Sequence, residues 1–308
     1  MPTRQIHRAE GPPGVRLARI AFVWLVFGAS FLQASDAPPA LFQFRLAISE
    51  SVIGAEVNES DAKVAMLAWR DALAKQSGFL IDINVTPIGR LVREVRDHAV
   101  DGFTMTAIEF MQVQNYAGPS LVYEANGKGD EYLLLAHEDS GIRTLGDLRH
   151  KTINIHDNPK MCLAAMWLDT VISGFSAGSA REFFGRVTSQ GKLSRVVLPV
   201  YFRQADACLV TKRGFSTMCE LNPQLGRKLR VIAGSTNFVT SFMAFHKDLA
   251  PERRLKIQTT LASLHKTAAG LQALTLFETG QLAIVDSSIL RSTLELVKAH
   301  EQLRLKKP

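Results

Sequence analysis

The chain has 308 residues, 46% of them apolar and 21% charged, with a formal charge of +7. That length allows one large or two medium lobes with proper cores. The basic excess lacks the clustered Lys/Arg stripe interleaved with aromatics that a nucleic-acid binder needs, so no nucleic-acid partner is expected.

The first segment reads as an export signal. Arg4, Arg8, Arg16 and Arg19 form a basic region, and residues 20–32 (IAFVWLVFGASFL) form an apolar run that ends near the small residues Ala34, Ser35 and Ala37. The run is shorter than the roughly 17 residues of a spanning helix. A signal peptide over residues 1–35 is therefore expected, with an uncleaved anchor as the alternative. Either places the body outside the cytoplasm, in the periplasm. The signal holds four Arg against Glu10, so the remainder carries a formal +4, a balance that suits a small anion.

A strand is predicted over residues 42–49 and breaks into Ser49, Glu50 and Ser51. The helix after it has the apolar stripe Ala65, Ala68, Trp69, Ala72 and Leu73 and stops at Gly78. Residues 80–85 form a second strand. Thr86 and Pro87 read as an N-cap and first helical residue for a stripe of Ile88, Leu91, Val92 and Val95. A third strand covers residues 102–105, and Thr106 with Glu109 forms a capping box for another helix. This alternation predicts parallel strands whose following loops share one edge, where ligands bind in such sheets.

A second set follows. Strands are predicted at residues 132–136, 152–155, 183–187, 205–210, 229–233 and 242–246. Thr144 caps a short helix, Asn158 and Pro159 start the helix carrying Cys162, Ala165, Met166 and Leu168, and a further helix covers residues 194–202. From residue 251 to 303 the chain reads as helix, with Leu255, Leu261, Leu264, Leu271 and Leu274 apolar. No low-complexity linker separates the two sets, which suits two lobes whose chain crosses between them more than once.

Three cysteines, Cys162, Cys208 and Cys219, are too few and unsuitably spaced for a disulfide framework or metal site, and the histidines are scattered. Gly174-Phe175-Ser176-Ala177-Gly178 matches a hydrolase elbow. It follows a helix rather than a strand, so no catalytic residue and no enzyme activity is assigned.

Residues 131–151 (EYLLLAHEDSGIRTLGDLRHK), 200–212 (VYFRQADACLVTK) and 242–251 (FMAFHKDLAP) resemble the phosphate/phosphite/phosphonate-binding members of the type 2 periplasmic binding proteins that serve ABC transporters. The resemblance implies an α/β Venus-flytrap fold, each lobe a mostly parallel sheet flanked by helices, with a hinge and an interlobe cleft. Lobe one would comprise residues 36–130 and 235–308, and lobe two residues 131–234. It also implies a monomer that captures a small oxyanion for an inner-membrane ABC permease. The alternative is a sensory module of the same fold acting with a membrane signalling partner. No cofactor is implied.

Two positions depart from the family pattern. His156-Asp157-Asn158-Pro159-Lys160-Met161 stands where phosphonate binders carry a Ser-Thr-Ser run, and His150 replaces the glycine of the D-L-x-G-K turn. Candidate ligand residues are Ser49 and Ser51 after the first strand, Thr104 and Thr106 at a helix start, Asn158 and Lys160 at the facing helix start, Asp206 by family match, and Ser235 with Thr236 where the chain recrosses. Helix N-termini favour anions through unpaired N–H groups. Glu50 and Asp157 would suit a cation instead.

Overall fold

The computed structural model describes residues 42–53, 59–125, 127–175, 179–275 and 279–305. The expected signal peptide and the Ser176–Gly178 part of the elbow motif lie outside these.

The elements are, in chain order, β1 (Gln43–Ser49), α1 (Glu50–Ile53), α2 (Glu59–Ser77), β2 (Leu80–Thr86), α3 (Ile88–Arg96), β3 (Gly102–Thr106), α4 (Ala107–Phe110) and β4 (Ala117–Glu124). The chain then crosses to β5 (Tyr132–His137), β6 (Thr152–His156), α5 (Ala164–Ile172), α6 (Ala180–Phe183), β7 (Arg186–Gln190), α7 (Leu193–Tyr201), β8 (Ala207–Thr211), α8 (Lys212–Leu221), α9 (Pro223–Lys228) and β9 (Leu229–Gly234). It returns with β10 (Ser241–His246), α10 (Pro251–Ser263), α11 (Ala268–Thr275), β11 (Leu282–Asp286) and α12 (Arg291–Leu305).

Two sheets result, ordered β11-β4-β10-β3-β1-β2 and β7-β6-β8-β5-β9. Each defines a lobe. Both are mixed rather than mostly parallel: β1 pairs parallel with β2 and β3, and β6 with β7 and β8, while β4, β10 and β11 in the first sheet and β5 and β9 in the second pair antiparallel. The cause is the double crossing. β5 and β10, the strands that follow the crossings, enter their sheets from the other lobe and run against the βαβ strands there, whereas β4 and β9 run with those strands and pair antiparallel with β10 and β5.

Alternation along the central strands assigns their faces. Phe44, Leu46 and Ile48 of β1 pack with Met66, Trp69 and Leu73 of α2 and with Ile257 and Leu261 of α10. Ala47, Phe103 and Met105 point the other way, onto Leu91, Val92 and Val95 of α3. The α2 stripe is thus offset from the expected one: Met66 is buried and Ala68 exposed. Gly78 ends that helix at φ +69°, and its N–H donates to the Ala74 carbonyl.

In the second lobe, Leu134, Ile153 and Leu209 meet Leu168 and Trp167 of α5, while Leu135, Cys208 and Val210 meet Val196, Val197 and Val200 of α7. The C-terminal helix departs from the expected division. Leu296 and Val297 of α12 join the core of Tyr132 and Trp167, and His300 Nε2 lies 3.1 Å from Asp169 Oδ2 of α5, so α12 packs on the second lobe. Residues 251–303 also contain β11, which had read as helix.

Local expectations shift in three further places. Thr86 stays in β2 with its hydroxyl buried and without a hydrogen-bond partner among the described residues, and Pro87 occupies the cap position of α3. Phe183 and Phe184 end α6, started by a Ser179/Glu182 capping box, so β7 begins only at Arg186. At the short turn Gly146–Leu148, Asp147 supplies the capping carboxylate to the Thr144 and Arg143 N–H groups; Thr144 is not the cap.

Candidate functional site

The site is built where the C-terminal ends of β1 and β3 in one lobe meet the chain after β6 in the other. At the β3 end, Thr106 caps α4: its Oγ1 accepts from the Glu109 N–H at 3.4 Å, and Glu109 Oε2 accepts from the Thr106 N–H at 2.9 Å. The capping box predicted from residues 106–109 is present. Glu109 also accepts from Ser49 Oγ at 2.8 Å, joining the ends of β1 and β3. Ser49 is fully buried, so its hydroxyl ties strands together instead of facing a ligand. Ser51 is exposed, with its N–H 3.4 Å from Ser49 Oγ.

Across from this end, Asn158 Oδ1 accepts from the Lys160 N–H at 2.9 Å and caps the three-residue turn Pro159–Met161. Both facing elements are a single turn long, since α4 spans Ala107–Phe110. A macrodipole grows with aligned peptides, so the helix-end attraction expected for an anion is small here. Positive charge at the site comes from the Lys160 side chain.

Thr240, in the return crossing, brings the two ends together. Its carbonyl accepts from the Ala107 N–H at 2.8 Å and from Cys162 Sγ at 3.5 Å, one donor from each lobe. Its hydroxyl donates to Asp130 Oδ2 at 3.1 Å. Asp130 bridges to Phe238, with its N–H on the Phe238 carbonyl at 2.7 Å, so the two crossings are paired. Gly129, at φ +94°, allows that approach: a Cβ there would lie 2.6 Å from the Phe238 carbonyl oxygen. Tyr132 hydroxyl donates to the Lys160 carbonyl at 2.8 Å.

The electrostatics are mixed. Burial pushes the Asp130 carboxyl above its ordinary value, opposed by the Lys160 charge and the Thr240 hydrogen bond. Burial, then the negative charges of Asp130 and Glu109, push the Cys162 thiol up to about 12, which keeps it protonated and unreactive. An anion drawn to Lys160 therefore has Asp130 as a neighbour.

Other candidates lie elsewhere. Thr104 sits within β3 between Ile48 and Met243, half-buried and on the same side of the pleat as Thr106. Asp206 is at the opposite edge: Oδ2 accepts from the Thr152 N–H at 2.8 Å and its hydroxyl at 2.9 Å, holding together the starts of β6 and β8. There it serves as a structural carboxylate. Ser235 is committed to the crossing, where its Oγ accepts from the Tyr132 N–H and donates to the Thr236 carbonyl, both at 2.7 Å. Glu50, Asp157 and Thr236 are exposed. Asp130 and Thr240 were missed in the sequence; the one local signal was the acidic residue after the glycines at 127 and 129.

His150, where the turn resembles a family glycine, is held at φ +61°. Beside the crossings, a cavity of about 530 Å³ is lined by Glu124, Lys128, Glu131, Arg213 and Gln281. No helix among the described residues is long and apolar enough to cross a membrane.

A family model described as ABC transporter, phosphonate, periplasmic substrate-binding protein matches residues 53–288. No curated protein sequence matches. Among solved structures, a binding-protein component of an ABC phosphonate transporter from Pseudomonas aeruginosa is 15% identical over 87% of this chain and 89% of its own, with a TM-score of 0.58. PhnD1 from Prochlorococcus marinus, in complex with methylphosphonate, is 13% identical over 86% and 99%, with a TM-score of 0.57. The periplasmic aliphatic sulphonate binding protein SsuA from Escherichia coli is 15% identical over 86% and 94%, with a TM-score of 0.51.

Proposed function

Since the chain belongs to the phosphonate family of periplasmic ABC-transporter substrate-binding proteins, we propose that it captures a small phosphonate-like or sulphonate-like oxyanion between its lobes and presents it to an inner-membrane permease. The family is one of substrate-binding transport proteins and not an enzyme class, and its fold, two mixed sheets flanked by helices, is that of the type 2 periplasmic binding proteins. The division that goes with this function puts β1–β4 with residues 241–290 in one lobe, and β5–β9 with α12 in the other. An N-terminal signal peptide would deliver the chain to the periplasm.

The observation that carries the proposal is the double engagement of Thr240, whose carbonyl takes one hydrogen bond from the Thr106 end of lobe one and one from the Lys160 turn of lobe two. A ligand bound there touches groups of both lobes, so binding and closure are the same event. Lys160 supplies the charge, and Ser51 and Thr106 supply polar groups from the other side. The Asp130 carboxyl beside it favours a ligand that itself carries a proton, such as a monoanionic phosphonate, over a fully ionised one.

Thermal shift against methylphosphonate, phosphite, phosphate and an alkyl sulphonate tests this. A ligand at 100 times its Kd adds about 2.7 kcal/mol to stability. A shift with a phosphonate or sulphonate is expected; a shift with none of the four, alongside one with a cationic amino acid, would replace the oxyanion by a cation.

A further inference from the structure

A second cluster lies at the far end of the first sheet from the cleft. His98 follows α3, His246 ends β10 and Asp248 lies two residues beyond it; the His246 N–H donates to the Asp101 carbonyl just before β3 begins. His98 Nδ1 lies 3.3 Å from Asp248 Oδ2, and His246 Nδ1 lies 3.7 Å from the same oxygen. All three ligand atoms fall within 4.8 Å of one another. The two imidazole rings are 4.4 Å apart at their centroids.

A tetrahedral zinc ion with bonds of about 2.0–2.2 Å separates its ligand atoms by roughly 3.3 Å, close to the 3.3 and 3.7 Å between Asp248 Oδ2 and the two imidazole nitrogens. We propose that His98, His246 and Asp248 bind one transition-metal dication of the zinc type, with solvent completing the coordination. Two imidazoles and a carboxylate select zinc, nickel or copper over magnesium or calcium, which prefer all-oxygen sites.

Three features support a built site. His98 is held at φ +56°, a conformation that a residue with a side chain adopts at a cost, with its ring against that of His246. His246 is only 4% exposed at its side chain, whereas His98 and Asp248 are each 55% exposed, so one anchored ligand sits beneath two that reach the metal from solvent. The Asp248 N–H donates to the His246 Nδ1 lone pair only at 3.3 Å, a long bond that a metal at that nitrogen would displace. The three residues are distant in the chain apart from the His-x-Asp pair, so their spacing hides the site.

Bound metal would clip the turn after α3 to the end of β10, independently of the cleft ligand. The test is calorimetric titration of chelator-stripped full chain with zinc chloride, then with magnesium chloride. One zinc per chain at micromolar Kd or tighter is expected, with magnesium at least 100-fold weaker. His98→Ala and Asp248→Asn should each weaken zinc at least tenfold while the apo melting temperature stays within a few degrees of the parent. Absence of micromolar zinc binding, equal magnesium affinity, or unchanged zinc affinity in both variants would overturn the site.

Discussion

Arg213, at the start of α8 in the second lobe, holds Glu124, at the end of β4 in the first, through two parallel hydrogen bonds of 3.1 and 2.9 Å. Such a fork is geometrically demanding, and the Glu124 carboxylate raises the Arg213 pKa above its ordinary value through that hydrogen bond. The pair spans the lobes beside the crossings. Because Arg213 is half exposed, Arg213→Ala is expected to cost about 1 kcal/mol or less in stability. Its larger effect is expected on the balance between open and closed forms. Small-angle scattering of the ligand-free variant should give a larger radius of gyration than the parent; an identical radius would mean that the pair is only surface decoration.

Glu109 is the better test of how the cleft edge is held. It is buried and takes hydrogen bonds from Ser49 Oγ and the Thr106 N–H. Glu109→Ala leaves both donors unpaired and removes half of a capping box, a loss of about 2–4 kcal/mol. Urea denaturation should read that drop. A loss below about 1 kcal/mol would show that water replaces the carboxylate.

Asp206 separates structure from recognition. Asp206→Ala strips the Thr152 N–H and hydroxyl of their acceptor and is expected to lower stability by about 1–3 kcal/mol. Ligand affinity, measured on folded protein well below its melting temperature, should remain within about twofold of the parent. A tenfold loss of affinity with stability intact would return Asp206 to the ligand site.

The Asp130 carboxyl gives a pH signature. Its folded pKa is raised above the ordinary 3.8, chiefly by burial, so the native chain holds that proton more tightly than the unfolded chain. The contribution is therefore complete below about pH 3.8 and is lost as pH rises through the folded value. Asp130→Asn keeps an acceptor for Thr240 and removes the titration. Relative to that variant, the parent should gain stability as pH falls from about 7 toward about 4, by paired denaturation curves. A difference that stays flat with pH would show Asp130 unperturbed.

What could be read in the sequence was what is local. The Thr106/Glu109 box and the α3 stripe involve residues within one or two turns of each other and are in place; Asn158 caps only a three-residue turn, and the helix expected to run on from it begins at Ala164. Partners far apart in the chain were invisible. Asp206 finds Thr152, His300 finds Asp169 and carries α12 to the second lobe, and Thr240 finds both Ala107 and Cys162. Strand β4 (AGPSLVYE) received no assignment from the sequence, since it contains Gly118 and Pro119; Pro119 is tolerated because the ladder to β10 shifts register there. Strand β11 (LAIVD) lies among helical leucines and is specified by its pairing with β4.

The account rests on Lys160 as the cation that receives the ligand, and calorimetry with methylphosphonate on the parent and on Lys160→Ala tests it most directly. A charge-assisted hydrogen bond is worth about 1.5–3 kcal/mol, so the variant should bind roughly 10- to 100-fold more weakly. The variant should remain folded without ligand, with a modest fall in melting temperature from loss of the Lys160 charge beside Asp130. Equal affinity in parent and variant would contradict the account and move the anion contact away from the turn after β6.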